Sequence, residues 1–148
     1  MKSTYAEGPS YEITLEGGLV TCRIWSRPDL DWAAGASAAE ALSEALVALA
    51  AGPRAQARGL LVDERQAPSV VGPRTQAALG ALLSTWERRG RHIAFVLPPD
   101  PVVTLQKRRL MAQWAPKQGR VFESIDEARA WALAPDPAAP TPAKSGAR

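Results

Sequence analysis

The fold of this chain is decided by residues 59–86, which read GLLVDERQAPSVVGPRTQAALGALLSTW. The stretch opens with an unbroken apolar run that ends at Asp63, and such a run is typical of a strand covered on both faces of its sheet. Residues 64–71 form a polar connection. Gly72-Pro73 then predicts the start of a helix that continues to Trp86, because proline is tolerated best at the first helical position. Strand, loop and helix in this order indicate an α/β protein.

Size and composition indicate a single folded domain. Of the 148 residues, 46% are hydrophobic and 22% are charged, which is close to the average of globular proteins. The 18 basic and 15 acidic residues leave a net charge of +3, a balance too even to indicate a nucleic-acid partner. Cys22 is the only cysteine and predicts a small core residue. No signal peptide and no apolar run long enough to span a bilayer is found, so we expect a cytoplasmic protein.

The N-terminal part of the chain predicts a β-hairpin. Residues 1–10 are expected to be a flexible lead-in. Tyr11, Ile13 and Leu15 then alternate with polar residues, which is the pattern of a half-buried strand. Gly17-Gly18 supplies a two-residue turn, and the return strand over 19–25 is expected to pair antiparallel with the first.

Four helices alternate with strands in the remainder. Two begin with the Ser-x-x-Glu spacing of a capping box, at Ser37 and Ser124. The other two begin with a proline, Pro73 and Pro101, and Asp100 is the predicted N-cap before Pro101. Further strands are predicted at 93–97 and 120–122. The order ββαβαβαβα predicts an α/β domain over 11–133, with a mixed sheet of about five strands and about four helices. Residues 134–148 are rich in proline and alanine and are expected to be a disordered tail.

Motifs for catalysis and cofactor binding are missing from the sequence. His92 is the only histidine and Cys22 the only thiol, which is too few ligands for a zinc site. A carboxylate-only magnesium site has no motif in its support. Neither a Gly-x-Ser-x-Gly elbow nor a glycine-rich phosphate loop occurs. We therefore expect no metal, no cofactor and no enzymatic activity, and we expect His92 to be an ordinary residue at a strand edge.

The candidate binding site is the end of the central strand. Sites collect at the carboxyl ends of parallel strands, and the first N–H groups of a helix favour an anionic partner. Arg65 and Arg74 would hold a phosphate or a carboxylate there. In the alternative, structural interpretation, Asp63 accepts hydrogen bonds from the loop and the arginines are solvated. The predicted site residues are Asp63, Arg65, Ser69, Gly72, Arg74, Thr75 and Gln76.

Basic and aromatic residues offer two further candidates. A basic patch for an acidic partner would form if two helices were neighbours, although solvated helix faces are the simpler interpretation. Its members would be Arg88, Arg89, Arg91, Lys107, Arg108 and Arg109. Three tryptophans with helical spacing predict core residues, Trp86, Trp114 and Trp131. Trp32 lies in a polar loop and is a candidate for contact with a partner.

The order of elements, the Leu-Leu-Val-Asp strand end at Asp63 and the loop into a helix together resemble the STAS superfamily. This is the domain of sulfate transporters and of bacterial anti-sigma factor antagonists. The resemblance covers about 11–133. More narrowly, the chain is similar to SpoIIAA-like proteins in its Asp-Glu-Arg segment at Asp63 and in the Ala-Arg-Ala-Trp helix that ends at Trp131.

This resemblance implies a signalling switch without enzymatic activity. In the anti-sigma antagonist type, a kinase phosphorylates a Ser or Thr at the start of the helix after the central strand. This chain reads Val71-Gly72-Pro73-Arg74 at that place, so the usual acceptor is missing. The nearest hydroxyls are those of Ser69 and Thr75.

Two functions from different classes follow from the sequence. The first is a regulatory module that binds a protein partner, such as an anti-sigma factor or a kinase, through the loop and helix start after the central strand. The second is a carrier or sensor of a small anionic or lipid-like ligand, with apolar space lined by Leu79, Leu83 and Trp86. A homodimer is compatible with either. An enzyme ranks third and would require an acid and base pair near Asp63 in a deep cleft.

Overall fold

The computed structural model describes residues 1–135 as an α/β domain built on one mixed sheet. Its six strands are neighbours in space in the same order as in sequence. The first three strands pair antiparallel, and the third to sixth pair parallel. The strands are β1 (Ser3–Glu7), β2 (Tyr11–Glu16), β3 (Leu19–Trp25), β4 (Gly59–Gln66), β5 (His92–Val96) and β6 (Gly119–Phe122).

Four helices cover the two faces of the sheet unequally. They are α1 (Trp32–Ala51), α2 (Pro73–Arg88), α3 (Pro101–Trp114) and α4 (Ile125–Ala132). Each of the first three leads to the next parallel strand, and right-handed crossovers in one direction put all three on the same face. The larger core cluster lies between these helices and the sheet, around Leu46, Leu83 and Phe95. The smaller cluster lies under α4 on the opposite face, around Leu61 and Ala94. The predicted fold class is confirmed.

The prediction of a flexible lead-in over 1–10 is wrong for Ser3–Glu7, which forms β1 at the sheet edge. Four of its five residues are exposed. The sequence of the segment shows no alternation of apolar and polar residues from which a strand could be predicted. Its order comes from backbone hydrogen bonds to β2, which a sequence pattern does not show. The sheet therefore has six strands instead of about five.

The first helix begins earlier than predicted. Asp31, and not Ser37, is the N-cap of α1, because its side chain accepts a hydrogen bond of 2.7 Å from the Ala34 N–H. The caps predicted at Asp100 and Ser124 are confirmed, as is the proline start of α2.

The central strand is longer than predicted and continues through Glu64 to Gln66. Arg23 of β3 pairs with Asp63 of β4, and Trp25 pairs with Gln66. The register of the two strands therefore shifts by one residue between these pairs. Such a bulge is common beside functional sites, where it redirects side chains.

By length and composition, α1 is apolar enough to cross a membrane, contrary to the expectation that no such segment exists. This carries little weight, because core helices of many proteins pass the same test. Here α1 packs Leu42, Leu46 and Leu49 into the larger core cluster. The predicted disordered tail falls, from residue 136 onward, outside the described residues.

Candidate functional site

A cavity of about 790 Å³ lies at the carboxyl end of the parallel strands, on the face covered by α1, α2 and α3. Its walls are the loops that follow β3 and β4, Pro98 after β5, and the facing sides of the three helices. This is where α/β sheets place their ligands, and the volume falls within the range of about 300–1,000 Å³ that small-molecule pockets occupy. Its walls are mainly apolar, with Ile24, Leu42, Leu79, Leu82 and Leu110 among them.

The cavity remains open because α3 packs incompletely. Seven residues of α1 are buried, whereas Met111 is the one buried residue of α3. The side of α3 that faces the cavity carries residues at helical spacing, in which polar groups stand beside apolar ones. They are Val103, Gln106, Lys107, Leu110 and Gln113. A stripe with so many polar groups does not pack tightly against a neighbouring helix.

A shielded ion pair forms part of the cavity wall. Lys107 Nζ lies 2.8 Å from Glu64 Oε1, and the two side chains are only 14% and 15% exposed. The ammonium group also lies 4.8 Å from the centre of the Phe95 ring. Glu64 reaches this face because side chains alternate along a strand, and Val62, two residues earlier, belongs to the core cluster on the same side.

The loop before α2 and the first turn of α2 contribute the predicted residues that do border the cavity. These are Ser69, Gly72, Thr75 and Gln76. Gly72 is the N-cap and has no side chain to bond the first N–H groups. The ring of Trp32 packs on it so closely that a Cβ at Gly72 would lie 3.3 Å away. Trp32 was predicted to lie in a polar loop but is the first residue of α1, because Asp31 caps the helix. Its side chain is 68% exposed and lines the cavity.

Asp63 and Arg65, the other predicted pair from the central strand, do not line the cavity. Asp63 alternates with Val62 and therefore shares the opposite face with Leu61. Its carboxylate receives bonds of 2.9 and 2.7 Å from the Arg65 guanidinium, and a bond from the Arg65 backbone N–H. These hydrogen bonds lower the pKa of Asp63. The structural interpretation of Asp63, as an acceptor for the loop, fits this geometry.

Arg74 also points away from the cavity. Its guanidinium binds the carboxylate of Glu40 on α1, at 2.6 and 3.0 Å, and reaches Ser37 at 3.5 Å. The hydrogen bond from Arg74 lowers the pKa of Glu40. Ser37 and Glu40, which the sequence suggested as a capping box, thus anchor α1 to α2. The two arginines expected to hold an anion are both bonded to carboxylates outside the cavity.

The other basic and aromatic candidates differ in whether they lie in the core or at the surface. Arg91 is buried and bonds the backbone oxygens of Leu49, Gly52 and Ala57, so it belongs to neither a basic patch nor a solvated face. Trp86 is fully buried, as predicted. Trp114 is not a core residue, since it is 37% exposed and packs its ring on α2.

Of the three residues expected to line apolar cavity space, one does so. Leu79 lines the cavity, whereas Leu83 and Trp86 are packed in the core. His92 is almost fully buried and meets the Trp131 ring edge-on at 3.9 Å.

Sequence reasoning assigned Lys107 to a solvated basic cluster and missed its place in the cavity. A signal was present: Lys107 lies four residues after Val103 and three before Leu110, which puts all three on one helix face. Gln106 and Gln113 continue that face. A stripe that contains one lysine and two glutamines among apolar residues departs from the apolar stripe of a core helix.

Within residues 1–135 there is no group of three or more His, Cys, Asp or Glu side chains that could hold a metal ion. A scan of protein-family models finds no match to this chain, and neither a search of curated proteins nor one of solved structures finds a significant relative. The resemblance to the STAS superfamily therefore stays a prediction.

Proposed function

We propose that this chain is a non-catalytic binding module whose cavity holds a small molecule with an apolar body. The observation that carries the proposal is the cavity of about 790 Å³ at the carboxyl end of the parallel strands. Its position and mainly apolar walls, interrupted by a few polar groups, are those of ligand sites in α/β proteins.

The ionisable groups of the cavity favour binding over catalysis. A general acid or base must be able to exchange a proton with the substrate. A nucleophilic side chain needs an activating base within hydrogen-bond reach. Glu64 forms an ion pair with Lys107, and Asp31 accepts a hydrogen bond from the first turn of α1. Ser43 donates its hydroxyl hydrogen to the Ala78 oxygen at 2.8 Å. These bonds hold the walls in place.

The proposal is tested by filling the cavity. Ala39 lines it from α1, and Ala41, two residues further, is exposed and does not. We expect the uncharged dye Nile red to bind wild-type protein with a rise in fluorescence, and Ala39→Trp to weaken binding by about tenfold or more, a loss of about 1.4 kcal/mol. Ala41→Trp is the matched control and should bind like the wild type.

Gly35→Leu provides a second filling variant, since Gly35 lines the same wall and its Cβ position has no neighbour within 4 Å. Melting temperatures of all variants establish that they fold. Dye binding that Ala39→Trp and Gly35→Leu leave unchanged, or that wild type lacks, would contradict the proposal.

A second candidate function is the binding of a regulatory protein partner at the cavity mouth. The observation in its favour is that two large apolar side chains, Trp32 and Val70, are 68% and 71% exposed there. Exposed aromatic residues beside a pocket are typical of binding hot spots. In affinity capture from cell lysate, Trp32→Ser should lose the partner at an unchanged melting temperature, and Arg74→Glu should weaken it. Equal capture by wild type and both variants would remove this surface from consideration.

A further inference from the structure

We infer that the ligand is electrically neutral at its polar end and carries a hydroxyl or an uncharged amide that is read by Glu64 and Lys107. This inference rests on the proposed function of the cavity. It concerns the chemical class of the ligand, which the apolar walls alone leave open.

The first step is the hydrogen-bonding capacity of the pair. An ammonium group has three donors and no acceptor, and a carboxylate accepts several hydrogen bonds. Lys107 uses one donor on Glu64 and directs charge at the Phe95 ring. Within residues 1–135, no other group donates to the Glu64 carboxylate. The wall therefore presents unused donor capacity on Lys107 beside unused acceptor capacity on Glu64.

The second step is the charge of this wall. A ligand carboxylate beside Lys107 would also lie beside Glu64, so attraction and repulsion act at similar distances. The ligand carboxylate would lose its hydration free energy without an equal gain in electrostatic attraction, as charged groups removed from water generally do. A ligand ammonium group meets the same obstacle with the signs reversed. A hydroxyl or an amide both donates and accepts, and it satisfies both members of the pair.

The remaining charges at the cavity are balanced as well. Arg27 is bonded to Asp29 through both carboxylate oxygens, at 2.7 and 2.6 Å. Asp31 caps α1, and Arg109 is exposed. Counting Asp29, three positive and three negative side chains surround the space. The other wall groups with hydroxyls or amides are neutral, and they include Ser26, Ser69, Thr75, Gln76, Gln106 and Gln113. Their chemistry matches an uncharged ligand.

The test compares four ligands that share one chain: decanol, decanamide, decanoate and decylammonium. Each displaces bound Nile red from the wild-type protein at neutral pH. We expect decanol and decanamide to compete at least about tenfold more tightly than either ion, or about 1.4 kcal/mol. Decanoate or decylammonium binding as tightly as decanol would overturn the inference. If Nile red does not bind at all, the proposed function itself fails, and the two results are distinguishable.

Two variants then change the charge of the pair. Glu64→Gln leaves a positive wall and should improve decanoate binding by about tenfold relative to decanol, while Lys107→Gln should do the same for decylammonium. Glu12→Gln is the matched control, because Glu12 pairs with Arg23 on the opposite face of the sheet. Ligand preferences that do not respond to either cavity variant would contradict recognition by this pair. The wild-type ligand order remains decisive if a variant does not fold.

Discussion

The charged groups at the two ends of the parallel sheet differ in how far their hydrogen-bonding capacity is used within the fold. At the amino end, the Arg91 guanidinium is surrounded by backbone oxygens from the end of α1 and the turn after it. At the carboxyl end, the Glu64–Lys107 pair faces a cavity of about 790 Å³. The first arrangement fixes the chain, since a cation suits the negative end of a helix. The second leaves hydrogen-bonding capacity unused, and the contrast separates a structural end from the proposed binding end.

The tightest contact of the structural end should give the largest effect. A Cβ on Gly59 would lie 1.7 Å from the backbone oxygen of Ala132, so α4 cannot stay in place against β4. We expect Gly59→Ala to lower the free energy of unfolding by about 4 kcal/mol, above the usual range for overpacking. Urea denaturation measures this change. Gly35→Ala is the control, because its Cβ has open space, and it should stabilise the protein by up to about 1 kcal/mol.

Two leucines one helical turn apart on α2 compare the packed and the open region directly. Leu83 is fully buried, whereas Leu79 is half-buried and borders the cavity. We expect Leu83→Ala to cost about 3 kcal/mol, because it creates a new void, and Leu79→Ala to cost about 1 kcal/mol. Equal losses in denaturant titrations would show that α2 is packed equally along its length, and the contrast between the two ends would fail.

The cation at the structural end should matter through its hydrogen bonds. Arg91→Met retains much of the side-chain volume but leaves the oxygens of Leu49, Gly52 and Ala57 without this donor. We expect a loss of about 2 kcal/mol in the free energy of unfolding. Arg89→Met, two residues earlier on an exposed side chain, should change stability by less than about 0.5 kcal/mol. An Arg91 variant as stable as the Arg89 variant would refute the role of the guanidinium.

The smallest effect is expected from Asp63, which lies toward the carboxyl end of β4 but on the face opposite to the cavity. Its pKa is lowered below the ordinary 3.8 by Arg65, so the pair stabilises the fold above that ordinary value and loses its effect as pH falls through the lowered one. Because Arg65 is 45% exposed, Asp63→Asn should cost less than about 1 kcal/mol at neutral pH. Thermal melts of wild type and variant should converge in acid. A gap that widens in acid would contradict the assignment.

Local signals account for the parts of the fold that were predicted. Asp100 and Ser124 cap their helices through bonds to N–H groups two or three residues away, and such contacts are visible in sequence. The start of α1 was missed because Ser37 offers a second plausible cap, and the choice depends on Arg74, which binds Glu40 from another helix. That contact joins residues 34 positions apart.

The predicted site and the cavity lie at the same end of the sheet, and four of the seven predicted residues border the cavity. The end of the central strand was identified correctly as the carboxyl edge of a parallel sheet, and Thr75 and Gln76 lie on the cavity. The face of β4 that packs under the helices decides whether Asp63 or Glu64 reaches the cavity. Because β4 is apolar on both faces, its sequence does not indicate which face this is. Lys107 was missed because its partner comes from a different element.

The sequential order of the strands has a consequence for how the protein is made. Each strand pairs with the one synthesised just before it, so the sheet can grow in step with translation, with short loop closures at every stage. The cavity is then the last feature to be completed on its face, because α3 follows five of the six strands. We expect ribosome-bound chains that end before α3 to resist protease over β2, β3 and β4 without retaining Nile red. Retention by such chains would show that the cavity forms without its third helix.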